Sequence, residues 1–209
     1  MPEKKHSLDN AYALETPEDN KALYAGWAET YDQTFAAEMD FIMPDHVAQL
    51  FWAMGGRGPV LDAGAGTGLV AEKILKSGDC ILDAFDLSAE MLAVARGKNI
   101  YRQTIQGDLT ATLPFADGSY NAVVSAGTFT HGHVGPEALD ELIRVAGHGA
   151  LFVLTIKTEH YRERGFADKF EFLSNRIEGF ETSDMPIYGA GAKGDHAKDR
   201  GLVTAFRKR

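Results

Sequence analysis

The sequence holds a single cysteine, Cys80, among 209 residues, so no intrachain disulfide is open to it. It lies in an apolar, strand-like run, and a buried inert thiol in a reducing compartment is the expectation. Basic residues are in deficit: 21 Lys and Arg face 30 Asp and Glu, a formal net charge of -9. Nucleic-acid binding needs clustered cations to displace counterions, so this balance argues against a nucleic-acid partner and favours a small or neutral substrate over a polyanion. The closing Arg207-Lys208-Arg209 is too short to change that and reads as a solvated tail. Long apolar runs are missing as well. The longest, about Ala150 to Ile156, falls far short of a membrane span, and Met1 to Ser7 lead into no apolar signal segment. No membrane partner and a cytoplasmic location are therefore expected.

What is present suits one well-buried domain, at 44% hydrophobic and 24% charged residues. Residues 1–19 are polar, contain Pro2 and Pro17 and show no sustained period, which predicts a flexible segment ahead of a single domain over 20–209. From Asn20 a helical pattern puts Tyr24, Trp27, Tyr31 and Phe35 on one stripe. That stripe reads either as the buried face of a docking helix or as part of a lid over a ligand, the lid spanning 20–56. Val47, Leu50, Phe51 and Met54 form a second apolar face ending at Gly55-Gly56.

The chain is organised around Pro59-Val60-Leu61-Asp62-Ala63-Gly64-Ala65-Gly66-Thr67-Gly68, followed by the amphipathic Leu69 to Leu75. An apolar run ending in an acid, then glycine at every second position, then helical periodicity reads as strand, tight turn, helix. Glycine admits positive φ and close approach of a ligand, and the following helix offers free N–H groups. A dinucleotide fold wants G-x-G-x-x-G, whereas here position 69 is leucine and the pattern is G-x-G-x-G. This stretch resembles motif I of the class I S-adenosylmethionine-dependent methyltransferases, in which the acid before the turn serves the cofactor's amino group and the turn passes its methionyl part.

A second strand is predicted at Cys80 to Asp86, and Ser88 is a good N-cap for a helix carrying Met91. Asp86 stands about 20 residues past the turn, where nucleoside-binding folds place an acceptor for ribose hydroxyls. It is preferred over Asp83 because it ends the strand on the edge where loops gather. Ile100 to Ile105 predicts a third strand leading to Asp108 and Leu109, a carboxylate for the adenine amino group and a cover for the ring; taken alone, Asp108 is a turn aspartate. Ala122 to Ala126 predicts a buried parallel strand, followed by a small-residue loop, Gly127 to Gly135, that should face the ligand. In that loop His131 is the candidate general base, with His131 and His133 as role-free loop histidines the competing reading. A metal site at the pair lacks a third ligand, although Glu137 is near in sequence, and no metal is expected. A helix over Pro136 to Ala146, a fifth strand at Ala150 to Ile156, a helix over Tyr161 to Asn175 and a hairpin pairing Ile177–Tyr188 with Gly201–Phe206 complete an α/β sheet.

Together, Val60 to Gly68, Asp86 to Leu92, Gly107-Asp108-Leu109, Leu113-Pro114-Phe115 and Ala122 to Ser125 look like the ordered motifs of a class I methyltransferase. Tyr24-Ala25-Gly26-Trp27-Ala28-Glu29-Thr30-Tyr31-Asp32 and Ser125 to Val134 are more narrowly similar to the Williams-Beuren-region methyltransferase-like group. The resemblance implies a doubly wound, mostly parallel seven-stranded sheet of order 3-2-1-4-5-7-6 with strand 7 antiparallel, a Rossmann-like fold. It implies S-adenosylmethionine as cofactor, with Tyr24, Tyr31, Asp62, Gly64, Ala65, Gly66, Gly68, Asp86, Leu87, Met91, Asp108, Leu109 and Ser125 binding it. Trp27, Gly127, Thr130 and His131 are the expected acceptor side, for a small-molecule methyl acceptor, in a monomer or homodimer. A cofactor-binding regulator or scaffold without catalysis keeps every motif. A nicotinamide oxidoreductase would share the sheet, but the missing third glycine and Asp62 speak against it.

Overall fold

The computed structural model describes residues 23–130 and 134–209. Residues 23–27 are helical and a π-helical turn spans Asp32–Ala36. The regular elements follow as α1 (Met43–Ala53), β1 (Val60–Ala63), α2 (Leu69–Ser77), β2 (Leu82–Asp86), α3 (Ala89–Gly97), β3 (Gln103–Gln106), β4 (Tyr120–Phe129), α4 (Ala138–Val145), β5 (Ala146–Lys157), α5 (Thr158–Glu163), α6 (Phe166–Phe172), β6 (Ile177–Pro186) and β7 (Arg200–Lys208). They build a seven-stranded sheet of order β3-β2-β1-β4-β5-β7-β6. Strands β1 to β5 run parallel, and β7 lies antiparallel to both β5 and β6. This is the expected topology.

Alternation along the central strands sends side chains to two apolar layers. Val123 of β4 and Phe152, Leu154 and Ile156 of β5 join a cluster with Leu139, Leu142 and Ile143 of α4 and Phe166 and Phe170 of α6. Their neighbours Ala122, Val124, Leu151 and Val153 face the other way, against Val47 and Phe51 of α1 and Val70 and Ile74 of α2. Leu23, Trp27 and Phe35 belong to this second layer, so the leading segment packs on the sheet rather than standing away from it. An isolated antiparallel bridge between Phe41 and Tyr188 fastens it to the distal hairpin through two backbone bonds, Ile42 N–H to the Ile187 carbonyl (3.2 Å) and Gly189 N–H to the Asp40 carbonyl (2.8 Å).

The predicted elements are present with five local differences. The continuous helix expected from Asn20 is interrupted: Thr34 Oγ1 donates to the Thr30 carbonyl (2.9 Å) and accepts from Trp27 Nε1 (3.1 Å), side-chain competition of the kind that bends helices. Strand β4 runs on to Phe129 where a loop from Gly127 was expected. After a register shift it pairs again at Phe129 and Ile156, and Gly127 N–H is met by Thr155 Oγ1 at 3.1 Å. β5 begins at Ala146, ahead of the apolar run. The helix predicted over Tyr161 to Asn175 divides into α5 and α6 at Gly165, whose φ is +76°. Cys80 precedes β2 and is half-buried, so the fully buried thiol is not observed. The segment 1–19, expected to be flexible, lies outside the described residues.

Asp83, the rejected rival of Asp86, has a structural position. Fully buried in β2, it accepts from Arg102 Nε (2.9 Å) and Nη2 (2.5 Å), Gln103 Nε2 (2.9 Å) and Tyr120 Oη (2.9 Å). Burial by itself would raise its pKa, but these donors outweigh it and hold the carboxyl below its usual range. Tyr120→Phe removes one donor without opening a cavity. It should cost about 1.5 to 3 kcal/mol, the worth of a hydrogen bond to a buried charge, read from the urea midpoint at neutral pH.

Candidate functional site

β1 delivers the chain into a turn in which Gly64, Gly66 and Gly68 take φ of +72°, +53° and +94°. Each needs glycine for a different reason. A Cβ at Gly64 would overlap the Thr128 side chain, and one at Gly68 would come within 3.0 Å of the Tyr101 ring, but one at Gly66 would meet nothing within 4 Å. Only Gly66 therefore leaves open room above its backbone. The turn is pinned to the end of β2: Gly64 and Ala65 N–H donate to the Phe85 carbonyl (2.8 and 3.1 Å), and Gly66 N–H donates to Asp86 Oδ2 (2.7 Å). Asp86 Oδ1 accepts from Ser88 N–H (2.9 Å), and Ser88 Oγ in turn caps α3 by accepting from Met91 N–H (3.2 Å). Burial raises the Asp86 pKa, and the backbone donors from Ser88, Gly66 and Leu87 offset part of that rise.

A cleft of about 1030 Å³, open mouth included, lies over this turn at the carboxyl ends of the parallel strands. Of the expected cofactor residues, Gly64, Ala65, Gly66, Asp86, Leu87, Met91, Asp108 and Leu109 line it, with Tyr24 and Tyr31 opposite. Gly127 lines it from β4. Asp108 Oδ1 accepts from Thr110 N–H (2.8 Å) and Thr110 Oγ1 (2.7 Å), so the turn aspartate and the cleft-lining residue are the same side chain. Gly68 packs behind the turn and Ser125 donates to the Ala63 carbonyl (2.6 Å); neither lines the cleft. Trp27 is buried behind Tyr31 and Phe35, at ring separations of 5.4 and 5.3 Å, rather than facing a ligand. His131 and His133 lie outside the described residues. Among the described residues, no His, Cys, Asp and Glu side chains gather as a metal site and no helix is long and apolar enough to cross a membrane.

Asp62 does not join the other two acids in the cleft. It is fully buried beneath the turn, where its Oδ2 accepts from Tyr101 Oη at 2.6 Å and its Oδ1 has no hydrogen-bond partner among the described residues. Burial raises its pKa, the Tyr101 bond lowers it and nearby Asp86 raises it again, leaving it at about 7. Tyr101 itself is pushed up by burial and by the same carboxylate. In the sequence Tyr101 reads only as part of a strand, and nothing local links it to an acid at position 62.

A second unforeseen group closes the cleft's flank. Asp32, at the start of the π-helical turn, accepts from Thr67 Oγ1 of the glycine turn (2.5 Å) and from Lys98 Nζ (2.6 Å), and Lys98 also reaches Glu72 on α2 (2.8 Å). The leading segment is thus latched onto the turn by a shared carboxylate. The Tyr31-Asp32 pair stands in the resemblance to the narrower group, but its long-range partners carry no sequence signal.

Beyond the rings of Tyr24, Tyr31 and Phe41, a second chamber of about 560 Å³ adjoins the cleft, sharing those three residues and Gly127 with it. Phe35, Met43, Phe129, Ile156, Ile187 and Tyr188 supply its apolar walls. Thr130 lines this chamber and not the cleft, with its Oγ1 buried and lacking a hydrogen-bond partner among the described residues. The Lys157 ammonium at its wall meets Asp199 (3.1 Å) and Glu159 (3.5 Å).

Sheet order and crevice together define a Rossmann-like fold of the class I methyltransferase kind. Comparison with known proteins agrees. Residues 61–154 match the family model described as a methyltransferase domain. Human methyltransferase-like protein 27 is 28% identical over 182 residues, covering 85% of this chain and 74% of that protein. Among solved structures, a TehB-like S-adenosylmethionine-dependent methyltransferase from Corynebacterium glutamicum is similar with a TM-score of 0.60 at 24% identity, over 90% of this chain and 99% of that one. The 4+2-cyclase SpnF is similar with a TM-score of 0.67 at 12% identity, over 93% and 97%. Identities this low speak for the fold alone. The chain has the fold of the class I S-adenosylmethionine-dependent methyltransferases, a class whose cofactor is S-adenosylmethionine, and residues 61–154 are similar to a methyltransferase domain.

Two tests follow from the acids. A carboxyl whose folded pKa is raised lends stability that is fully present below its unfolded value, 3.8, and is lost as pH rises through about 7. Asp62→Asn keeps an acceptor for Tyr101 without the charge. Between about pH 4 and pH 8 the wild type should therefore lose up to on the order of 4 kcal/mol relative to the variant in denaturant titrations. Parallel pH profiles for the two would refute the shift. Asp32→Ala releases Thr67 and Lys98 together, and amide exchange across residues 28–36 should accelerate at least about tenfold by mass spectrometry.

Proposed function

We propose that the chain transfers a methyl group from S-adenosylmethionine to a small-molecule acceptor by in-line displacement. The carrying observation is the open space above Gly66 beside the Asp86 carboxylate, a backbone cradle that a side chain would fill. The donor set suits an uncharged nucleoside with an amino-acid tail, since among the described residues no cation of the kind a phosphate would need lines the crevice. In this reading Asp86 accepts from the ribose hydroxyls, Asp108 and Leu109 hold the adenine, and Leu87 and Met91 flank it. Gly64, Ala65 and Gly66 pass the methionyl part. Asp62, Gly68 and Ser125 act at one remove by fixing the turn, and Tyr24 and Tyr31 cover the site as part of a lid whose described residues are 23–56.

When bound, the cofactor supplies a methyl carbon already activated by a sulfonium, so the protein's task is alignment and exclusion of water. Positioning of this kind is worth on the order of 7 to 11 kcal/mol. Gly127, at the junction of cleft and chamber, marks the acceptor side. His131, next in sequence after Thr130, is the base when the acceptor arrives protonated. A second reading, cofactor binding without methyl transfer, would use the same crevice.

Calorimetry separates these readings from a nicotinamide enzyme. S-adenosylhomocysteine should bind and NAD should not, and Asp86→Asn should weaken S-adenosylhomocysteine at least about tenfold, the worth of one hydrogen bond to a charged acceptor. NAD binding in place of S-adenosylhomocysteine overturns the proposal, and methylated product over an acceptor panel distinguishes enzyme from binder.

A further inference from the structure

The second chamber has a composition that selects its occupant. Its mouth is ringed by aromatic side chains: Tyr31 and Phe35 stand 5.0 Å apart, Phe35 and Phe41 5.9 Å, and Tyr188 lies 6.1 Å from Phe35 and 6.0 Å from Phe41. Surfaces of this kind take flat apolar groups by edge and face contacts. Against them stands one polar atom without a partner among the described residues, the buried hydroxyl oxygen of Thr130. Native interiors satisfy such atoms almost everywhere, so a lone one in a cavity wall is a place where a ligand completes the set. The Lys157 charge is already met by Asp199 at 3.1 Å and Glu159 at 3.5 Å, so it asks for no anion.

The geometry points to this chamber as the seat of the methyl acceptor, and to an uncharged, ring-bearing small molecule with one hydrogen-bonding group that meets Thr130 Oγ1 as the class it takes. The assignment rests on the methyl-transfer reading above for its role, and on the chamber alone for its chemistry. The two spaces share Tyr24, Tyr31, Phe41 and Gly127, so a ring held here faces whatever fills the cleft. At Gly127, φ is +82° and an added Cβ would stop 3.5 Å from the Phe41 ring, so a side chain there would be strained and would narrow the passage.

The test uses p-cresol as an uncharged ring with one hydroxyl, 4-hydroxybenzoate and tyramine as its anionic and cationic counterparts, and toluene as the ring without a polar group. Titrations by saturation-transfer NMR are run on the full chain with and without S-adenosylhomocysteine. p-Cresol should bind at least about tenfold more tightly than either charged analogue, since burying an unpaired charge is costly. Thr130→Val, nearly isosteric, should weaken p-cresol about five- to tenfold and leave toluene unchanged. Gly201→Leu adds a side chain beside Ile187 and Met43 in the chamber and should abolish p-cresol binding while S-adenosylhomocysteine still binds. If Gly201→Leu does not fold, Thr130→Val carries the test by itself. A charged analogue binding as well as p-cresol, no p-cresol binding to the wild type, or p-cresol binding indifferent to Thr130→Val overturns the assignment. Failure of S-adenosylhomocysteine to bind overturns the cofactor reading instead, and the ligand class is still read from the titrations made without it.

Discussion

The crevice depends on the bond from the Gly66 amide to the Asp86 carboxylate, because it decides where the backbone of the turn stands relative to the ends of β1 and β2. It is a charge-assisted bond within a buried site, and its acceptor is held from the other side by the Ser88 amide. The same serine begins α3, so strand end, turn and helix start share one carboxylate. Glycine at 64 lets the turn lie against Thr128, and glycine at 68 lets Tyr101 approach from behind. With those two contacts made, the backbone at Gly66 is left facing the cleft.

Features set by local pattern were readable in advance. The alternating glycines, the N-cap at Ser88 and the apolar runs of β1, β4 and β5 each encode their own geometry within a few residues. Position along a strand decides which end of the sheet a side chain reaches: Asp86, at the end of β2, lines the cleft, and Asp83, three residues earlier, anchors Arg102, Gln103 and Tyr120. Element ends were less legible, since β4 and β5 are prolonged by pairing with each other and the helix after β5 breaks at Gly165.

The rest of the site is assembled from contacts between segments far apart in sequence, and no local pattern announces these. Tyr101 covers Asp62 from 39 residues away, Lys98 reaches Asp32 across 66, and Tyr188 closes the aromatic ring begun by Phe35 and Phe41. Asp62 was placed with the ligand by its motif, and it lies fully buried beneath the turn against the Tyr101 hydroxyl, where burial raises its pKa to about 7. The aromatic stripe of the leading segment likewise divides its work. Trp27 and Phe35 anchor it in the core, while Tyr24 and Tyr31 remain half-buried over the cleft.

Cleft and chamber draw on different parts of the chain. The cleft floor comes from the turns after β1, β2 and β3, whereas the chamber takes Ile187 and Tyr188 from the connection between β6 and β7, and Phe41 from the approach to α1 borders both. Those two suppliers are stitched together by the bridge at Phe41 and Tyr188, made by the Ile42 amide on Ile187 and the Gly189 amide on Asp40. Ile187 and Tyr188 line the chamber and not the cleft, so substitutions at those two positions reshape the chamber alone. Because the tie between those suppliers is made by backbone groups, side chains at either end of it can vary without breaking it.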